Sequence, residues 1–426
     1  MPDIAPFRAL GYAPHLRADL DRLVAPPYDV QSDEQRARLA ARHEHNIVHV
    51  DLPRPPTGED PYEAARRRLA GWARDGILTR DPEPAYYVCE QRYRPPAGGE
   101  AVRRGFFTRL TLEPFGGGSI IPHERTLDEP RDDRTRLLAA TRVHLSPVFL
   151  LHPDSGGDVA RLVSAAMEGP PLGQARDDDG TISRIVRVSD PERTAFLTDR
   201  LRKEWALIAD GHHRYESALA YRDERRARGQ RDAEHVLAFL CSLQDPGLAI
   251  YPIHRLVHSV GGHEPERFLQ KMGPRFRLTR KATPEDLSRD LSSKASRPGV
   301  FGVVLPGSAF WLAEWKEGEG LSGPEMAATP EPLRRLDVIL LHRLVLEGIL
   351  GISVEAQARQ LNLDYAKEAR QVYEGVAAGR AQIGFQMNPT RMEQVIEVTR
   401  GGFRLPQKST YFFPKILTGL ALDPLD

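Results

Sequence analysis

The sequence predicts an α+β fold: a mixed, partly antiparallel sheet with an additional smaller α+β module. Three observations predict it. Strand-like runs outnumber and interleave with helix-patterned stretches, Pro/Gly turn chemistry sits between β-rich runs as hairpins require, and an apolar run stops at Gly211 and restarts as a helix. At 426 residues, with 40% hydrophobic and 28% charged side chains, the chain suits a soluble protein of two or three domains. Fifty-nine basic residues balance fifty-nine acidic ones, so no overall field favours nucleic acid or an anionic membrane. Arginine far exceeds lysine, but runs such as Arg66-Arg67-Arg68 and residues 222–228 read as solvated helix faces, interleaved in the second case with acids. The two cysteines, Cys89 and Cys241, each lie in an apolar strand-like run, which supports neither a disulfide framework nor a cysteine metal site. With no signal-like N-terminus and no apolar stretch near membrane-spanning length, a reduced cytoplasm is the expected home.

Residues 1–30 read as extended and turn-rich, with Pro26-Pro27 fixing the backbone before Tyr28-Asp29. Ser32 caps a helix to about 42. Residues 46–52 alternate Ile47, Val48, Val50 and Leu52 like a strand, and 61–76 is helical with Pro at its first turn. Strands at 85–93 and 102–112 flank a Pro-Pro-Ala-Gly-Gly turn and form a hairpin. A helix at 132–142, a strand at 148–151, a helix at 158–168, a strand at 182–188 and a helix at 190–201 follow. Apolar strands at 236–243 and 248–256 surround Asp245-Pro246-Gly247, a second hairpin turn. Helices at 264–272 and 284–293, a strand around 276–278 and a hairpin of 299–305 with 309–315 make the smaller module. Helices at 336–346, 366–378 and 390–399 and a strand at 381–387 complete the chain. The expected division is 1–260 as the main α+β unit, 261–330 as the accessory module, and 331–426 as a C-terminal part closing back on the main unit.

The most informative stretch is Asp210-Gly211-His212-His213-Arg214, between a strand-like run (205–209) and a helix-patterned one (216–228). A helix N-terminus offers unpaired N–H groups and the positive end of the dipole. Two imidazoles and a guanidinium on that turn suit a phosphate or carboxylate ligand. Asp210 would cap the turn or hold a histidine in one tautomer. The plainer alternative is a capped turn with surface histidines.

These five residues resemble the phosphate-binding turn of the ParB/sulfiredoxin superfamily, and most closely that of the ADP-dependent free-serine kinases. The rest of the chain resembles a widespread prokaryotic family, through Ala25-Pro26-Pro27-Tyr28-Asp29-Val30, His123-Glu124-Arg125-Thr126 followed by Asp133-Arg134, Pro252-Ile253-His254-Arg255, and Gln407-Lys408-Ser409-Thr410-Tyr411-Phe412-Phe413-Pro414-Lys415. The superfamily resemblance implies a strand-turn-helix phosphate site, a nucleotide (ATP or ADP) with Mg²⁺, and a small hydroxylated substrate such as serine or phosphoserine.

Within that frame each group has a role and a plainer reading. The loop of His123, Glu124, Arg125 and Thr126 follows a triple glycine that permits close approach to a ligand. Its carboxylate could take a hydroxyl proton, with His123 beside it, while Arg125 and Arg134 neutralise phosphate; otherwise it is a solvent loop with local ion pairs. Asp210 is the other candidate base. His254 and Arg255, at the end of an apolar run, would emerge at a sheet edge toward substrate or simply end a strand. Lys408, Ser409, Thr410 and Lys415 flank aromatics that must pack, so the terminal segment is expected to dock and bring its lysines beside the anion held by Gly211 to Arg214. A protein-bound transition metal is not expected: His43, His45 and His49 lack a carboxylate at ligand spacing, and adjacent histidines on a tight turn point apart. There is no Walker A motif and no nucleophile elbow.

Two readings result. One is a cytoplasmic phosphotransferase, kinase or phosphatase, acting on a small hydroxylated metabolite. The other is a non-catalytic regulator that senses a nucleotide or phosphorylated metabolite. Neither calls for a membrane or nucleic-acid partner.

Overall fold

The computed structural model describes residues 3–96, 98–124, 128–262 and 264–425. The fold is α+β. The chain divides into two compact units, the first comprising Met1–Pro122, Thr126–Ala249 and Pro414–Asp426, the second His123–Arg125 and Ile250–Phe413.

In the first unit a nine-stranded mixed sheet runs, among the described residues, in the order Ile120–Pro122, Ala206–Asp210, Val148–His152, His235–Ser242, Ala101–Thr111, Tyr86–Tyr93, Ile182–Val188 and Pro171–Arg176, with Ile4–Ala5 also paired to Ala101–Thr111. Ala206–Asp210 is parallel to Ile120–Pro122, and His235–Ser242 to Val148–His152; the other pairings are antiparallel. The hairpin expected at 85–112 is present, with Tyr87 opposite Phe107. Strands at the centre of this sheet are buried on both faces, which is why they read as continuous apolar runs. On one face Tyr86, Phe106, Val148, Leu150 and Ile208 meet Tyr215, Ala218 and Tyr221 of the helix His212–Ala227. Burial of each large side chain contributes about 1.5–3 kcal/mol. The helix Asp128–Thr141 packs on His212–Ala227, and Pro61–Arg74 packs on Asp128–Thr141.

The second unit is built on a six-stranded antiparallel sheet in the order Phe276–Lys281, Ala309–Trp315, Val300–Leu305, Ile383–Met387, His254–Val257 and Leu363–Ala366. Segments 261–330 and 331–426 thus both supply strands to one sheet. Leu287 and Leu291 of the helix Pro284–Ser293 and Val372 and Val376 of the helix Ala369–Ala377 cover one face of it. Thr283 Oγ1 caps the first of these helices by accepting from Asp286 N at 3.1 Å.

Several expectations are corrected. Residues 46–52 form no strand: Val48–Asp51 is a single helical turn. Asn46 Oδ1 accepts from Val48 N at 2.9 Å while its amide donates to Arg22 O and Val24 O, so local side-chain bonding overrides the β-like alternation. The turn at 245–247 does not close a hairpin, because His235–Ser242 pairs with Ala101–Thr111 and Val148–His152. Gly247 serves close packing instead; a Cβ there would stand 2.2 Å from Val102 O. The helix expected at 336–346 is α only over Asp337–Leu340 and widens to a π-helix over Leu341–Glu347. The strand Pro171–Arg176 has no counterpart in the sequence reading. Cys89 and Cys241 are buried free thiols. No described helix is long and apolar enough to cross a membrane.

Candidate functional site

The strand Ala206–Asp210 ends where Gly211 takes φ +87°, and the helix begins at once with His212. The helix therefore starts four residues earlier than its apolar pattern indicates, and the two histidines and Arg214 occupy its first turn. Glycine is required on two counts. Its backbone is left-handed, and a Cβ would meet the Arg214 guanidinium, which folds back over the turn, at 2.9 Å. The N-cap residue is Gly211, which has no side chain to cap the helix.

Asp210 is not a cap. Its Oδ2 accepts from Arg214 Nη2 at 2.5 Å and its Oδ1 from Lys415 Nζ at 2.5 Å. The Arg214 guanidinium also donates to Pro147 O, and its Nη1 lies 3.4 Å from Ser146 Oγ. Burial alone would raise the Asp210 carboxyl; Lys415, then Arg214, and also His212 outweigh it and hold the group well below the usual carboxylate range. Burial likewise works against the charged form of Arg214, but Asp210, Asp29, Tyr28 and Asp51 raise it.

Lys415 is held in place through its backbone. Gln91 Nε2 donates to Lys415 O at 2.9 Å, and Arg103 Nη2 donates to Pro414 O at 2.5 Å. Arg103 is fully buried between Phe149, with its guanidinium carbon 4.6 Å from the ring centroid, and Phe239.

Beside the turn, a cavity of about 50 Å³ is lined by Tyr28, Asp51, Arg134, Ser146, Arg214 and other residues. Arg134 donates from Nη1 to Asp51 O at 2.9 Å and to Asp51 Oδ1 at 3.1 Å, and from Nη2 to Asp133 Oδ2 at 2.6 Å. Its guanidinium lies 4.3 Å from the centroid of the Tyr28 ring. The first unit thus brings Tyr28 of the Pro-Pro-Tyr-Asp segment, Asp133-Arg134, the Asp210–Arg214 turn and Lys415 to one place. Arg134 is engaged by two carboxylates and a ring, as a tie between these segments. Burial raises the Asp51 carboxyl against the pull of Arg134 and Arg214, and among the described residues Asp51 Oδ2 has no hydrogen-bond partner.

The remaining candidates belong to the second unit. His123 Nε2 lies 2.7 Å from Thr410 Oγ1, and the His123 ring meets Phe412 edge-on at 5.7 Å. Glu124 bridges to Leu405 in parallel register, and Glu124 Oε1 accepts from Lys408 N at 3.4 Å. Lys408 is exposed with φ 57°; Ser409 is buried and donates to Pro406 O at 2.6 Å. Arg125 and Thr126 lie outside the described residues. His254 and Arg255 do not emerge at a sheet edge: they open a strand flanked on both sides and are 3% and 2% exposed. His254 Nδ1 accepts from Met387 N at 3.0 Å, and Arg255 donates to Ile253 O, Lys408 O and His342 Nε2. Burial, then Arg255, lowers His254 to about 4 and His342 to about 3.

Residues 4–339 match a family described as "protein of unknown function (DUF1015)". The chain belongs to this family. No curated protein matches it. Among solved structures it is similar to a point mutant of a free serine kinase in complex with ADP, at 14% identity and TM-score 0.34, over 71% of this chain and 89% of that one. It is similar to a conserved hypothetical protein from Pyrococcus furiosus at 13% identity and TM-score 0.34, over 71% and 92%. A third is SbnI with a C-terminal truncation from Staphylococcus aureus, at 10% identity and TM-score 0.38, over 75% and 87%. In this family member, three groups at the turn escape sequence reasoning. Asp51 sits in a segment whose alternation mimics a strand, and Gln91 and Arg103 sit mid-strand with nothing local to tie them to Lys415. Buried-strand polar residues were the available signal. Among the described residues no cluster of His, Cys, Asp and Glu could hold a metal ion.

Proposed function

We propose that the first unit binds a phosphate-bearing ligand, a nucleotide with Mg²⁺, at Gly211 to Arg214 and Lys415. On this reading the chain is a phosphotransferase acting on a small hydroxylated metabolite, with free serine as the substrate to test. One observation carries the reading: a half-buried carboxylate just before the start of a helix is bracketed by a lysine and an arginine. Arg214 and Lys415 bring two cations to a helix N-terminus, where an anion is already favoured. Phosphoryl transfer asks for just such positioning and charge stabilisation. Asp210, held ionised by both cations, is a poor proton acceptor and better suited to fixing Lys415 and Arg214. The resemblance of the turn to that of free-serine kinases is the ground for naming serine.

The test is turnover. Purified chain is incubated with ATP or ADP, Mg²⁺ and serine, and phosphoserine is measured in both directions. Phosphoserine formation or breakdown that disappears in Lys415→Gln supports the phosphotransferase. Nucleotide binding without transfer or hydrolysis would overturn the enzyme reading in favour of a nucleotide-sensing regulator.

A further inference from the structure

A cleft of about 400 Å³ opens between the helices Asp33–Arg42 and Pro61–Arg74 and the proline-rich loop at 53–59. Arg36, Arg54, Arg67 and Arg68 line it, against two lining carboxylates, Glu59 and Asp75. Arg54 pairs with Asp33, and Arg67 with Glu59. Among the described residues no carboxylate pairs with Arg36 or Arg68. Arg36 Nε donates to Leu52 O at 3.1 Å, which fixes the guanidinium without neutralising it. Burial and then the neighbouring Arg54 and Arg68 disfavour its charged form, against a smaller opposing pull from Asp33. His49, also in the wall, is lowered by burial and then by Arg68.

The cleft exists because the helix Pro61–Arg74 presents small residues to it. Ala64 and Gly71 lie seven positions apart on one face, and a Cβ on Gly71 would meet only Arg74 Nη2, at 3.8 Å. Pro53, Pro55 and Pro56 add an apolar part to the lining, as does Trp72, whose ring is stacked on His45 at 5.5 Å. Forked cationic donors beside a rigid apolar wall are the ingredients of a site for a small anion with an organic body. The run Arg66-Arg67-Arg68 therefore divides: Arg66 pairs with Glu63, whereas Arg67 and Arg68 turn into the cleft.

We propose that this cleft is a second anion site, separate from the turn at Gly211, which takes a small organic phosphate with its phosphate between Arg36 and Arg68 and its body along the prolines. The ligand is held chiefly by charge in a site open to solvent, so its affinity falls as salt is added.

Calorimetric titration of the full chain tests this, with inorganic phosphate and phosphoserine as probes at low salt. The background is Lys415→Gln, which removes a cation of the other site. In that background the cleft should be the tighter phosphate site, and adding Arg68→Glu should lower its affinity at least about tenfold; Arg68 is exposed, so its replacement leaves the fold intact. Arg36→Gln should do the same. Phosphoserine should bind more tightly than inorganic phosphate. No residual site in Lys415→Gln, or equal affinity with and without Arg68→Glu, would overturn the proposal. Equal binding of phosphate and phosphoserine would overturn its organic part. Failure of the turn site would show separately, as unchanged binding on replacing Lys415.

Discussion

Lys415 Nζ stands 2.5 Å from Asp210 Oδ1 across 205 positions of sequence. That contact joins the last segment of the first unit to the strand end preceding the helix, and it places a second cation on a carboxylate already paired with Arg214.

Lys415→Gln removes the charge and keeps a polar side chain of similar reach. Asp210 stays paired with Arg214, so the fold should persist while affinity for a phosphate ligand at the turn falls by about 1.5–3 kcal/mol, the scale of a charge-assisted hydrogen bond. Calorimetry with a parallel thermal melt measures both. Equal affinity in a folded variant would remove Lys415 from the site.

Arg214→Ala should behave differently. The guanidinium is largely buried and ties Asp210 to the Pro147 carbonyl, so its loss leaves buried acceptors unpaired and should cost about 3–5 kcal/mol of stability. Chemical denaturation checks this. A loss below about 1 kcal/mol would mean that the variant reorganises around Asp210 and that the pair is not structural.

Arg103→Leu tests how Lys415 is seated. Replacing a buried charge that faces carbonyl and amide oxygens by an apolar side chain should leave stability within about 2 kcal/mol of wild type. Release of the Pro414 carbonyl should lower phosphate affinity roughly tenfold, with faster amide exchange around 414–418. Faster exchange with unchanged affinity would show that Gln91 suffices.

The second unit should be acid-labile through His254 and His342. Both are held neutral, with folded values of about 4 and about 3, below the unfolded value of about 6.5. Between these limits the unfolded chain binds more protons, so stability falls as pH falls, by about 1.4 kcal/mol per pH unit for each histidine. Urea midpoints from pH 7 to 4.5 should drop less steeply in His342→Gln than in wild type. Parallel slopes would mean that His342 is not buried in its neutral form.

Glu124→Gln keeps size and polarity but cannot accept a proton. If Glu124 is the base, turnover should fall roughly 10²–10⁴-fold with ligand binding retained. Retained turnover would pass the role to another carboxylate, with Asp51, raised by burial and, among the described residues, holding an oxygen without a hydrogen-bond partner, as the next to replace.

What the sequence made legible was local. Ser32 caps a helix where its side-chain oxygen and spacing say it should, and the hairpins at 85–112 and 299–315 follow from turn chemistry between β-rich runs. The strand, glycine and helix around Asp210 were also readable, since only glycine accommodates φ +87° beneath a folded-back arginine. What was not readable depends on distant partners. Asp210 looked like a cap because nothing near it in sequence announces Lys415. Residues 46–52 looked like a strand because their alternation carries no trace of the carbonyls of Arg22 and Val24 that hold Asn46. His254 and Arg255 looked like an edge because the strands on either side of them come from more than a hundred residues downstream.

The most direct measurement is a crystal structure of the chain with ADP and Mg²⁺ bound. A phosphate of the nucleotide should lie within about 3.2 Å of Lys415 Nζ or of the backbone N–H groups at the start of the helix His212–Ala227, in contact with the residues that bracket Asp210. Phosphates found away from this turn, with the Lys415, Asp210 and Arg214 pairing unchanged, would contradict it.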